Sequence, residues 1–225
     1  MNLIRGYSLQ LKYSFFTVTV SEVVSYLYCP RKLLLIRTLG LKDKPLEETL
    51  EGVQAHIIYE KLTLFYMKTK ESKDYWKLVS ELEEKENFPE IRKLAEFRYS
   101  NPFTSAQVEV PVEIQGIKGR IDIIEDKTPI EIKYRNKLLE RDVVQVTWYT
   151  LLAEAALNKN IDYAYIDLLK IPKRIKIHID NEKRIKALKT REKCIKTIIQ
   201  NNYTLKRKNC RKCPLRKECK LLNLT

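Results

Sequence analysis

Three charged residues on two neighbouring segments offer the clearest chemistry in this sequence: Asp122 in Gly119-Arg-Ile-Asp122, and Glu131 and Lys133 in Glu131-Ile-Lys133. Side chains alternate along a strand, so Glu131 and Lys133 share one face while Ile132 turns into the core. A tight turn at Asp126–Pro129 brings the Asp122 strand alongside. Two carboxylates and an ammonium then converge at a strand end. Carboxylates so placed hold a hard divalent cation, Mn²⁺ or Mg²⁺, which acidifies water and stabilises the charge that builds on a phosphorane. The lysine orients or deprotonates the attacking water. This is the equipment of phosphodiester hydrolysis. A surface hairpin with exposed Asp and Glu has the same local pattern, so the reading depends on what accompanies it.

Two further pairs accompany it. His56, one of two histidines, stands in Gly52-x3-His56-x3-Glu60, the i, i+4 spacing of one helical face. A neutral imidazole is a good third ligand for manganese. The other histidine, His178, lies in a strand beside Lys176 and reads as a packing or surface residue. Gln145-x3-Tyr149 repeats the one-turn spacing, placed to hydrogen-bond a DNA phosphate or base and to order the site. An amphipathic helix with two half-buried polar residues is the plainer account of that pair.

The cysteines form a second centre. Cys210, Cys213 and Cys219 cluster near the end of the chain, and Cys29 stands alone near the start. Three thiolates at C-x2-C-x5-C cannot saturate a tetrahedral zinc or an iron–sulfur cluster, and Cys29 is the natural fourth ligand. Structural zinc commonly uses paired knuckles, two and two; a one-plus-three division with a Cys-Pro dipeptide is closer to iron–sulfur ligation. Cys194 falls outside the pattern and reads as a buried or surface thiol.

The elements that must position these groups follow from local signals. Residues 1–18 read as an extended or poorly ordered lead-in. Thr19 or Ser21 caps a helix through Glu22–Leu27, which delivers Tyr26-Leu-Tyr-Cys-Pro-Arg-Lys32. An apolar stretch Leu33–Leu39 ends at Gly40, and a longer helical pattern runs from Pro45 to about Lys70. Residues 71–99 read as a helical insert closed by Asn101-Pro102. Ala106–Ile114, Ile117–Glu125 and Thr128–Tyr134 are rich in Val and Ile and separated by turn residues, as successive strands are. Leu138–Leu157 is the clearest helix; Ile161–Lys170 and Arg174–Ile179 are strands, and Glu182–Ile199 is a basic helix. No repeat or linker divides the chain. The expectation is one α/β domain, with a helical region 19–100, a catalytic sheet and helix 101–180, and a helix and cysteine tail 181–225.

Taken in order, Gly52-x3-His56, Gly119-x2-Asp122, Glu131-x-Lys133 and Gln145-x3-Tyr149 resemble the motifs of RecB-type PD-(D/E)xK nucleases. With Cys29 before them and three cysteines after, residues 19–221 resemble a Cas-four type CRISPR-associated exonuclease; Tyr28-Cys29-Pro30-Arg31 and Cys213-Pro214 fit that family. The resemblance implies a restriction-endonuclease-like core and a 4Fe-4S cluster on Cys29, Cys210, Cys213 and Cys219. It implies metal held by His56, Asp122, Glu131 and the Ile132 carbonyl, with Lys133 catalytic. It further implies 5′-to-3′ cleavage of single-stranded DNA ends during the trimming of spacer precursors, beside CRISPR integrase subunits. A viral or cellular recombination or repair nuclease is the alternative role. A DNA-binding iron–sulfur adaptor with little cleavage is the alternative class, and it has no need of Asp122, Glu131 and Lys133.

Bulk properties agree. A net charge of +14 on 225 residues points to a polyanionic partner. No apolar run approaches the roughly 20 residues of a membrane span. No signal peptide is evident at the start, and clustered cysteines suit metal ligation in a reducing, cytoplasmic setting. No Gly-rich phosphate loop suggests an ATPase. Only 5 glycines beside many Lys, Glu and Ile fit a protein from a hot environment. Oligomeric state is left open.

Overall fold

A computed structural model describes residues 15–41, 47–69, 71–114, 116–201 and 207–222. Its centre is a mixed sheet of six strands: β1 (Val18–Thr19), β2 (Ala106–Ile114), β3 (Ile117–Glu125), β4 (Thr128–Lys133), β5 (Tyr163–Leu168) and β6 (Lys173–His178). The expected boundaries hold to within a few residues. The difference is at the start: Val18, assigned to the lead-in, and the cap residue Thr19 form a short strand parallel to Ile117–Lys118 of β3. Most of the lead-in, residues 1–14, lies outside the described residues, as does the Pro45 at which the long helix was expected to open.

β3 is the hub. Along one edge it pairs antiparallel with β2 over its whole length. A strand has only two hydrogen-bonding edges, so β1 and β4 share the other, β1 at residues 117–118 and β4 at 123–125. Between those two contacts β3 and β4 part, and the gap opens beside Asp122. β4 continues through α6 (Glu140–Leu157) to β5, which is parallel to it, and β6 closes the far edge antiparallel to β5. The β3–β4 turn is the tight one the sequence demands: Asp126 and Lys127 have φ of 45° and 72°, the left-handed pair that matches strand twist.

Helices cover both faces. On one side α1 (Val20–Tyr28), α2 (Pro30–Leu39), α6 and α7 (Asn181–Gln200) bury Val23, Leu33, Trp148, Leu152, Leu188 and Cys194 against Ile117 and Ile121. On the other, α3 (Glu47–Lys68), α4 (Ser72–Lys85) and α5 (Ile91–Tyr99) bury Tyr59, Leu62, Tyr75, Val79 and Leu94 against Ile123, Ile130 and Ile132. Thr19 caps α1 in a reciprocal box: the Glu22 N–H donates to Thr19 Oγ1 at 3.0 Å, and the Thr19 N–H to Glu22 Oε2 at 2.7 Å.

One hairpin serves both layers. Ala106 and Val108 pack with α3–α5, whereas Val110, Val112 and Ile114, of the same parity, pack with α1, α6 and α7. On β3, Ile121 and Ile123 divide in the same way. Side chains of one parity share a face along a regular strand, so both strands of the hairpin turn here. On β2 the turn coincides with a break at Glu109, mid-strand at φ 54°, facing position 122 between the pairs Val108–Ile123 and Val110–Ile121. A bulky residue in the left-handed region costs about 1–3 kcal/mol, and such strain collects at functional sites.

The tail folds back on the start. A 3₁₀ turn (Arg207–Lys212) carries Cys210, α8 (Arg216–Leu221) carries Cys219, and Cys213 lies in the link between them. The Tyr28 hydroxyl donates to the Asn209 carbonyl at 2.8 Å, and Arg31 Nη2 to the Cys219 carbonyl at 2.8 Å. Among the described residues, no helix is long and apolar enough to cross a membrane.

Candidate active site

The gap between β3 and β4 opens into a cleft of about 1340 Å³, to which α3, β2, β3, β4 and α6 all contribute. Asp122 sits where the ladder stops. Its Oδ2 accepts the Ile132 N–H at 2.8 Å, so a carboxylate takes the amide that a continued β3–β4 ladder would have used. The same oxygen lies 3.1 Å from His56 Nε2, and His56 Nδ1 lies 3.0 Å from Glu60 Oε1. His56 and Glu60 are one turn apart on α3, as their spacing required. Lys133 Nζ donates to Glu131 Oε1, confirming that the two share a face. The other Glu131 oxygen, Oε2, is buried without a partner.

The groups bias one another strongly. Burial and the Asp122 carboxylate push Glu131 up to about 8. Burial disfavours the His56 imidazolium, but hydrogen bonds to Asp122 and Glu60 outweigh it and raise His56 to about 10. Burial also opposes ionised Asp122, yet His56, Lys133 and the Ile132 amide hold its pKa below the ordinary value.

Glu109 was not expected here. Its break in β2 brings its carboxylate against that of Glu60, and burial plus this like-charged contact raise its pKa, while Arg120 Nη1 pairs with Glu109 Oε2 at 2.6 Å. Ligand atoms of His56, Glu60 and Glu109 lie within 4.8 Å of one another. Carboxylates in contact, with a buried carboxylate oxygen left over, are a donor set that a hard divalent cation fits. Glu60 stood in the sequence pattern without an assigned role. Glu109 carried one signal: register counted outward from the Gln115–Gly116 turn sets position 109 opposite 122.

Tyr149 lines the cleft, and Gln145 Nε2 donates to its hydroxyl at 3.2 Å. Burial, Glu131 and Asp122 all raise the Tyr149 pKa, so the phenol keeps its proton. Gly119 earns its place by contact: a Cβ there would lie 3.1 Å from Tyr149 Cε1 and 3.0 Å from Val20 Cγ2. From behind, α3 is pinned by Tyr59, whose hydroxyl donates to Asp167 Oδ2 at 2.9 Å. Arg174 clamps Asp167 at 2.8 and 2.9 Å and also reaches Glu125, which pairs with buried Arg98. His178 is exposed on β6, away from the cleft lining.

Cys29 and the cysteine-bearing tail lie at another corner, where Tyr28 and Arg31 hydrogen-bond Asn209 and Cys219. Cys29 is buried at the α1–α2 junction, and the Cys213 N–H donates to the Cys210 carbonyl at 3.3 Å. Burial raises the Cys213 thiol, with Cys29 and Cys219 adding to the rise and Lys32 opposing it. Burial likewise raises Cys219, opposed by Arg31 and assisted by Cys210 and Cys29. Both shifts favour the protonated thiol, and among the described residues the cysteine sulfurs do not form a group of three within 4.8 Å of one another. Cys194 is fully buried in the α7 core, where burial drives its thiol up to about 12, and takes no part.

Residues 17–220 match the sequence profile of the PD-(D/E)XK nuclease superfamily. The chain belongs to that superfamily. A solved structure titled "Crystal structure of SSO0001" aligns with 92% of this chain and 87% of its own, at 18% identity and a TM-score of 0.49. None of the curated proteins matches. Nucleases of this superfamily use divalent metals such as Mg²⁺ or Mn²⁺, in keeping with the carboxylates and imidazole of the cleft.

Proposed function

We propose that this chain is a metal-dependent DNA exonuclease of the Cas-four type, shortening single-stranded ends of spacer precursors from 5′ to 3′ in the cytoplasm, alongside CRISPR integrase subunits. The observation that supports it most is the meeting of His56, Asp122 and Lys133 on the wall of one cleft, with Glu131 buried behind Lys133, beside Lys118, Arg120, Arg135 and Arg141. In this reading His56, Asp122, Glu131 and the Ile132 carbonyl hold Mn²⁺ or Mg²⁺. The bound cation supplies acidified water and charge stabilisation at phosphorus. Lys133, kept as an ammonium by Glu131 and Asp122, orients the attacking water and offers its N–H to the charge that builds on the phosphate oxygens. Asp122 fixes the imidazole of His56, and Tyr149 with Gln145 positions the strand by hydrogen bonds from a neutral phenol. Phosphates of the strand lie along the cations of the cleft.

In the same reading Cys29, Cys210, Cys213 and Cys219 hold a 4Fe-4S cluster that ties the tail to α1 and α2; its chemistry here is structural cohesion and a potential redox centre. The test is a single-stranded oligonucleotide labelled at either end and incubated with Mn²⁺. Loss of nucleotides from the 5′ end, stopped by a chelator, supports the reading. An intact strand refutes the nuclease, and shortening from the 3′ end refutes the polarity.

A further inference from the structure

α3 shows three faces to its surroundings. Ala55, Ile58, Tyr59 and Leu62 are buried in the core, and His56 and Glu60 face the cleft. The next stripe round the helix is Leu50, Val53 and Ile57, at 56%, 52% and 46% exposure. Aliphatic side chains at i, i+3 and i+7 left open to water, on a helix already packed on another face, need an occupant. Two of them, Val53 and Ile57, line the cleft itself.

The remaining walls define that occupant by charge. Lys118 and Arg120 project from β3, and Arg135 and Arg141 stand at the approach to α6. Arg120 is 68% exposed even while it pairs with Glu109, and Lys118 is exposed as well. The cleft also holds Glu60, Glu109, Glu113 and Asp122, and its cations outnumber them; an apolar wall beside this excess of cations matches a polymer that is anionic along its backbone and apolar on its side groups. Paired DNA offers phosphates but hides the faces of its bases; an unpaired strand offers both.

We infer that Val53 and Ile57 of α3, extended by Leu50, form the base-contact wall of the cleft and make it selective for unpaired DNA. This rests on the nuclease reading above and assigns the strand-selecting residues of the same site. A strand seated this way lays its phosphates on Lys118, Arg120, Arg135 and Arg141 and its bases against α3. Contacts of this kind are insensitive to base identity, because every base has an apolar face.

The experiment compares wild type with V53S/I57S, and with V53I/I57L as the conservative control, in a chelator so that no cleavage occurs. Three probes are used: a thymidine oligonucleotide, an abasic oligonucleotide of equal length, and a duplex. Covering two half-exposed aliphatic side chains predicts that V53S/I57S binds the thymidine strand about ten-fold more weakly. Binding to the abasic strand and the duplex should stay as in wild type, with an unchanged salt slope, and V53I/I57L should bind all three as wild type does. Equal loss on thymidine and abasic strands, or no loss on either, overturns the inference. So does a wild-type dimer that the serine pair converts to monomer, which makes a second copy the occupant. A parallel assay with Mn²⁺ separates the two readings. Wild type that leaves the strand intact overturns the nuclease reading and this inference together; wild type that cleaves, beside a serine pair that binds normally, overturns this inference alone.

Discussion

Loading the cleft with metal should release about two protons near neutral pH. Without metal, Glu131 is raised to about 8 and His56 to about 10, so both hold a proton at pH 7. A carboxylate and an imidazole bind metal only when deprotonated, so cation and protons compete for the same ligands. The sign follows: raising the pH removes the competitor and tightens binding. Below pH 8 both groups must give up a proton, and affinity should rise close to 100-fold per pH unit; between 8 and 10 only His56 remains, and the gain should fall to about ten-fold. These values describe the coupled site as a whole. The assay is calorimetric titration of Mn²⁺ at about pH 6.5 and 7.5 in buffers of different ionisation enthalpy, which counts protons directly. His56→Gln should remove one proton from the count, and Glu131→Gln should remove the tight site. Flat affinity across that unit, with no buffer dependence of the heat, would refute the assignment of these two residues as ligands.

Three further outcomes follow from the packing. Gly119→Ala places a Cβ 3.0 Å from Val20 Cγ2 and 3.1 Å from Tyr149 Cε1; overpacking of this kind should cost about 1–3 kcal/mol in urea denaturation, and unchanged stability would contradict the seating of Tyr149 on β3. Tyr59→Phe removes the buried bond to Asp167, which keeps Arg174 as a partner; the expected loss is about 1 kcal/mol, a fall in thermal midpoint of about 2–4 °C, and an unmoved midpoint counts against that anchor of α3. Cys29→Ala should lose iron and sulfide, bleach the protein and expose the region after Ile199 to protease, while Cys194→Ala should do none of these. Full iron content in Cys29→Ala would remove Cys29 from the ligand set.

Much of this site was legible because strand and helix periods are rigid. Period two placed Glu131 and Lys133 on one face, and the i, i+4 rule aligned His56 with Glu60 and Gln145 with Tyr149. The Thr19 cap and the Asp126–Lys127 turn were equally local signals. Glu109 was hidden for the opposite reason. The sequence Ala106–Ile114 reads as an unbroken strand, and a glutamate in the left-handed region leaves no local mark. The setting of the break is tertiary: one hairpin feeds apolar side chains to two helical layers, and the reversal falls at the residue facing Asp122. Val18–Thr19 was missed similarly, since a strand of two residues has too short a pattern to detect. The open stripe on α3 is also a tertiary fact, because Leu50, Val53 and Ile57 look like core residues until α3 is seen to pack through a different face.

Whether the Asp122–Glu131–Lys133 cleft cuts DNA is the claim on which the rest depends. The direct measurement is Mn²⁺-dependent degradation of a labelled single strand by Glu131→Ala beside wild type, each purified identically, with circular dichroism confirming an intact fold and Cys194→Ala as the handling control. The account predicts that wild type and Cys194→Ala degrade the strand while Glu131→Ala falls to the background of a metal-free reaction. Degradation by Glu131→Ala at a rate near that of wild type would contradict it.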